Sequence, residues 1–141
     1  VEVDTDTGAV TLLQHVDVDD CGRVLQPTLL EGQQHGGAVA GLSQALFEHS
    51  DYDTDGNPLA ATFGSYLLPG PTEVCSIITD TISTPTNRNV LGTKGIGENG
   101  CNGATAAVHN AVMDALAPYG IDHIDMPLTP NRIWDALSSS A

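Results

Sequence analysis

Between Thr28 and Phe47 the residues Leu29, Leu30, Val39, Leu42, Leu46 and Phe47 recur at spacings that suit one buried face of a helix. Gly32, Gly36, Gly37 and Gly41 interrupt that pattern. A glycine inside a helix costs about 1 kcal/mol relative to alanine, so something is predicted to lie close against this backbone. Pro27 marks the start, since proline in a first turn forfeits no hydrogen bond. Around this helix, residues 1–19 alternate apolar and polar on either side of an Asp4–Gly8 turn and are predicted to form a hairpin. A hairpin tip is expected at Asp51–Pro58, a strand-like segment at Phe63–Leu68, a second β segment at Glu73–Ile82 and a loop over Ser83–Gly103. Ala104–Leu116 reads as a helix with Val108, Val112 and Leu116 inward. Pro130–Leu137 reads as a terminal helix capped by Thr129 and anchored by Trp134. With no βαβ rhythm, the fold class expected is α+β, with antiparallel strands and hairpins packed with helices.

Charge narrows the function. Lys and Arg number 4 against 18 Asp and Glu, so the net charge is 4 − 18 = −14, which argues against a surface for nucleic acid or anionic lipid. No run of 18 apolar residues would span a bilayer, and Val1–Gly8 does not read as a signal peptide. At 40% hydrophobic and 16% charged the chain can bury a core. With aromatics at 4%, that core must be aliphatic. Cys21, Cys75 and Cys101 form no spaced pair, so neither a disulfide framework nor a structural zinc site is expected; a cytoplasmic location is the default. Lys94 is the only lysine, and Asp dominates the acids. Adaptation to a salty cytoplasm and a moderately acidic enzyme from a high-GC genome both remain open.

Two motifs invite the wrong chemistry. Asp51-Tyr-Asp-Thr-Asp-Gly56 opens like an EF-hand loop, but its twelfth position is Thr62, not the bidentate Glu such a loop needs, and its eighth is Pro58. A solvated hairpin tip is the better reading. Gly95-x-Gly97-x-x-Gly100 matches the dinucleotide fingerprint, yet Glu98 stands where a phosphate would lie and Arg88–Thr93 is no buried strand.

What remains is Gly92-Thr-Lys-Gly-Ile-Gly-Glu98-Asn-Gly100, a glycine-rich loop leading into a helix with Glu98 as its only acid. Glycines let a bulky ligand approach the backbone. A carboxylate withdrawn from water there is a usable general base, whereas helix N–H groups favour its charged form and would give it a capping role. Both roles stay open on the residues alone.

Four segments together resemble the C-terminal part of the large, molybdenum-bearing subunit of the xanthine oxidase family. They are Val18-Asp-Asp-Cys-Gly-Arg-Val-Leu-Gln-Pro27, Glu31-Gly-Gln-Gln-His-Gly-Gly37, Thr93-Lys-Gly-Ile-Gly-Glu98 and Asp125-Met-Pro-Leu-Thr-Pro-Asn-Arg-Ile-Trp134. The third and fourth are most similar to the carbon monoxide dehydrogenase branch. The resemblance implies a molybdenum-dependent hydroxylase, with Glu98 as its catalytic glutamate and Gln33 as an amide that hydrogen-bonds the pterin. Gly95 and Gly97 would hold the glutamate loop against the cofactor, and no residue of this chain would ligate a metal. The cofactor implied is molybdenum-molybdopterin in its cytosine dinucleotide form, with iron–sulfur clusters and FAD on partner subunits, and copper in a true carbon monoxide dehydrogenase. A dimer of heterotrimers acting on a small-molecule substrate follows, with carbon monoxide, aldehydes, xanthine and other N-heterocycles as alternatives. Outside that family, a calcium-binding or structural module remains. Residues 1–141, lacking an initiator methionine, are expected to be the C-terminal portion of a molybdopterin-binding domain and inactive alone. His35 is expected to pack within its helix, Asp17, Asp19 and Asp20 to form a solvated or turn-forming cluster, and Cys101 is assigned no chemistry.

Overall fold

Helix α1, Pro27–Leu46, carries the glycine-interrupted pattern through twenty residues. The computed structural model describes residues 1–140. Gln26 caps α1 by accepting a hydrogen bond from the Thr28 amide. Helix α2, Asn99–Leu116, packs along α1, and the glycines explain how. A Cβ at Gly41 would stand 2.5 Å from the Cys101 carbonyl oxygen, and one at Gly100 would stand 2.9 Å from the Ala38 amide nitrogen. The close neighbour required by Gly37 and Gly41 is therefore the first turns of α2. Gly32 and Gly36 meet nothing within 4 Å.

Below this contact Leu42, Ala45, Leu46, Val108, Val112 and Leu116 form the aliphatic core, closed by Ile121, Leu128 and Ile133. The Leu128 amide donates to the Ala45 carbonyl at 2.7 Å and ties the preceding loop to α1. Helix α3, Pro130–Ser140, is anchored by the fully buried Ile133; Trp134 is 48% exposed and does not serve as the expected anchor.

The N-terminal hairpin exists but is shorter than expected. Strands β1 (Glu2–Val3) and β2 (Val10–Thr11) pair antiparallel around a turn held by Asp4, whose carboxylate accepts from the Asp6 and Thr7 amides. Strand β3, His15–Asp19, leaves this hairpin and pairs with β4, Ile77–Thr81, in parallel, with His15 opposite Ile77 and Asp19 opposite Thr81. The mixed α+β class holds, but this pair is a parallel crossover containing α1, which short strands far apart in sequence do not advertise. Phe63–Leu68 forms turns rather than a strand. Helix α2 starts five residues earlier than its alanine-rich stretch suggested, because packing against α1 offsets the poor propensity of Asn99–Gly103.

The β3–β4 pair is reversed relative to an ordinary amphipathic sheet. Val16, Val18 and Ile78 are about half exposed, whereas Asp19 is buried and Asp17 half-buried. Asp17 and Asp19 thus depart from the solvated cluster expected of them, and each has a buried carboxylate oxygen without a hydrogen-bond partner. Burial, and then the neighbouring Asp19, hold the Asp17 carboxyl above its ordinary value, opposed by His15 and His35. Folding therefore disfavours ionised Asp17. The penalty is absent below the unfolded carboxylate pKa of about 3.9 and complete once pH exceeds the folded value. Asp17→Asn should raise the melting temperature at neutral pH, with the gain vanishing in acid; a gain that persists unchanged in acid would exclude this cause.

Candidate functional site

Residues 92–98 are fixed at both ends and open between them. At the upstream end the Lys94 amide donates to the Cys21 carbonyl at 2.8 Å, and the Arg23 amide donates to the Gly92 carbonyl at 2.9 Å. Gly22 and Thr93 form a β-bridge. These bonds place the loop beside the turn that links β3 to α1, which is how two motifs some seventy residues apart meet. At the downstream end Gly100 is seated on α1, where its Cβ would lie 3.1 Å from the Gln34 carbonyl oxygen.

Between these ends a Cβ at Gly95 or Gly97 would meet no atom within 4 Å. Unlike Gly37 and Gly41, these glycines are not required by packing within the described residues. Gln33 is exposed on α1 and lines a cavity of about 330 Å³ together with Lys94 and Ile96, the two neighbours of Gly95. Arg23, Leu25 and Leu29 complete much of its wall, with Leu25 and Leu29 62% and 69% exposed. An amide, bare glycine backbone and uncovered leucines suit a bulky, flat ligand with polar edges.

Glu98 occupies the N-cap position of α2, and its side chain makes no capping hydrogen bond. Its carboxylate is exposed and lies outside the Gln33 cavity wall, two residues beyond Ile96. The structure thus brings Gln33 to one cleft with Lys94 and Ile96, the neighbours of Gly95, while Gly95, Gly97 and Glu98 themselves lie outside its lining.

Gln34, which the sequence did not single out, is 2% exposed. Its amide nitrogen donates to the Asp80 carbonyl of β4 at 2.9 Å, joining helix and sheet behind Gln33. Its place at the inward-facing helical spacing from Ala38 and Leu42 was the available signal.

Other candidates fall away. Among the described residues no group of three or more His, Cys, Asp and Glu side chains is placed to hold a metal ion. Asp53 uses its carboxylate on the Asp55 and Asn57 amides and the Asn57 side chain, so the Asp51–Pro58 tip is self-supported. His109 faces the Ile124 carbonyl at 3.0 Å, and its ring lies 5.4 Å from that of His123, which pairs with Asp125. No helix is long and apolar enough to cross a membrane among the described residues.

Comparison with known proteins identifies the family. The sequence profile of the molybdopterin cofactor-binding domain matches residues 1–75. The carbon monoxide dehydrogenase large chain of Hydrogenophaga pseudoflava is 36% identical over 137 residues, 97% of this chain and 17% of its own length. The nicotine 6-hydroxylase large subunit of Paenarthrobacter nicotinovorans is 40% identical over 133 residues, 94% of this chain and 16% of its own. The reconstituted CO dehydrogenase from Oligotropha carboxidovorans superposes with a TM-score of 0.93 at 35% identity, over 98% of this chain and 17% of that one. The chain thus spans about a sixth of the length of the relatives it matches.

Proposed function

The chain belongs to the molybdopterin cofactor-binding domain family, and on that premise we propose that it forms one wall of the cofactor site in a molybdenum-dependent oxidoreductase of carbon monoxide dehydrogenase type. The observation that supports this reading most is the pair of glycines flanking Ile96, open to 4 Å in a loop that shares its cavity with the Gln33 amide. Bound there, a molybdenum–pterin group supplies two-electron redox chemistry. The chain's own contribution is binding and proton handling. The Gln33 amide donates and accepts hydrogen bonds along a polar pterin edge, Gly95 and Gly97 admit that group against bare backbone, and the Glu98 carboxylate takes up the proton released as substrate is oxidised. Leu25 and Leu29 exclude water from the cleft once it is filled.

In this reading residues 1–141 are the C-terminal part of a molybdopterin-binding domain, and the other walls lie on further chain. The cofactor is the cytosine dinucleotide form. Partner subunits carrying iron–sulfur clusters and FAD, in a dimer of heterotrimers, would supply the electron acceptors, and any copper would be held by a cysteine outside these residues. The substrate is carbon monoxide; the 40% identity to a nicotine hydroxylase favours an N-heterocycle as second reading.

Gln33→Ala tests the binding role. Loss of a hydrogen bond of about 1–3 kcal/mol should weaken cofactor binding, and so reduce bound molybdenum and pterin measured per protein when cofactor is limiting, by about fivefold or more. Unchanged content would remove Gln33 from the site.

A further inference from the structure

We infer that Lys94, joined to Asp20 and Thr84, is a positioning residue that sets where the glutamate loop sits, and not a cation reserved for cofactor or substrate. The inference rests on the reading of Glu98 given above.

The sole lysine of a strongly acidic chain, placed beside bare glycine backbone, would ordinarily be read as the anion-binding group of the loop. Its charge is already committed. The Lys94 Nζ donates to Asp20 Oδ2 at 2.8 Å and to Thr84 Oγ1 at 2.5 Å. The Thr84 hydroxyl also bonds Asp20 Oδ2. The other Asp20 oxygen accepts from the Gly22 amide at 2.8 Å and the Thr84 amide at 3.1 Å. Ser83 Oγ donates to the Gly22 carbonyl at 2.8 Å. Three stretches of chain thus converge on one carboxylate: the turn before α1, the segment leaving β4, and the glycine loop. The hydrogen bond from Lys94, followed by those from Thr84 and Gly22, holds the Asp20 carboxyl far below the ordinary carboxylate range, so it stays ionised throughout the working pH of an enzyme.

Five residues, 95–99, separate this clamp from the Gly100 seat on α1. Within them the backbone hydrogen bonds are a long one from the Asn99 amide to the Ile96 carbonyl at 3.4 Å and, at the helix end, one from the Asn102 amide to the Glu98 carbonyl at 3.1 Å. Glu98 has no side-chain bond that fixes it from its own helix. Its placement is therefore inherited from the two ends, and loosening the Lys94 end moves the carboxylate. Lys94 and Asp20 are partly exposed, at 36% and 30% of their side chains, and such a pair adds little to global stability. Geometry should suffer before folding does.

The test compares Lys94→Met, Asp20→Asn and Lys94→Arg in the full-length, cofactor-loaded protein. Lys94→Met and Asp20→Asn should lower kcat by about tenfold to a hundredfold, the effect of an ångström-scale misplacement, with KM and molybdenum content near wild type. Lys94→Arg, whose guanidinium can still pair with Asp20, should recover most of the loss. Independently of turnover, hydrogen exchange at the Arg23 and Lys94 amides should accelerate in the first two variants and not in the third. Should Lys94→Met fail to fold, Thr84→Val, which deletes only the bridging hydroxyl, reads out the same quantities. Loss of cofactor with unchanged amide exchange would identify Lys94 as a ligand-binding cation and overturn the proposal, as would unchanged kcat in all three. Accelerated exchange with unchanged kcat would retain a clamp that positions nothing, and this also overturns it. If Glu98→Gln leaves turnover intact, the reading of Glu98 fails separately, whatever the exchange rates show.

Discussion

Glu98→Gln is expected to leave the molybdenum and pterin content of the full-length protein near normal while turnover falls by several orders of magnitude. The amide keeps the size and most contacts of the side chain but cannot take up a proton, and general-base assistance alone is worth about 10²–10⁴-fold. Exposure of this carboxylate at the head of α2 without a capping bond separates the effect from stability, because no structural hydrogen bond is lost. A capping role predicts the opposite pattern, with a lower melting temperature and retained turnover. Assaying cofactor content, melting and rate on the same preparation distinguishes the two.

The second large effect concerns folding. Gly41→Val should destabilise the protein by about 1–3 kcal/mol or more through overpacking, because its Cβ would press on the Cys101 carbonyl oxygen at 2.5 Å, the Ala104 Cβ at 2.8 Å and the Thr105 amide nitrogen at 2.9 Å. Two of those three are backbone atoms and cannot turn aside. Gly32→Ala, on the same helix with nothing within 4 Å, should instead gain up to about 1 kcal/mol from helix propensity. Denaturant unfolding of both variants measures the difference. Equal effects would mean that the glycines do not mark the α1–α2 contact.

The same contrast shows what could be read from sequence. Four glycines in a helical pattern foretold a close neighbour, and Gly37 and Gly41 meet one in α2, but nothing in the letters said that the neighbour was another helix of the same chain for two glycines and open space for the others. Long periodic elements were legible: α1, the Val108–Val112–Leu116 face of α2, and the Pro130 start of α3. Short strands were legible as segments, β4 within the expected Glu73–Ile82, but their pairing was not. The segment His15–Asp19 alternates in the way a hairpin arm does, and nothing local marks Ile77–Thr81, across sixty residues, as its parallel partner. The inward face of β3 carries Asp17 and Asp19, so an apolar-inside rule assigns it backwards. At the site, the Gly95–Glu98 loop and Gln33 were legible as motifs. Gln34 and the Lys94–Asp20–Thr84 clamp were not, because their roles depend on Asp80, Gly22 and Thr84 arriving from distant segments.

The most direct measurement is a crystal structure of the full-length protein with its molybdenum–pterin cofactor bound. The account predicts the Gln33 amide within hydrogen-bonding distance of the pterin, the backbone of Gly95 and Gly97 in contact with the same group, and the Glu98 carboxylate turned toward the metal end of that cleft. A cofactor seated elsewhere, or a Glu98 side chain directed into bulk solvent away from Gln33, would contradict it.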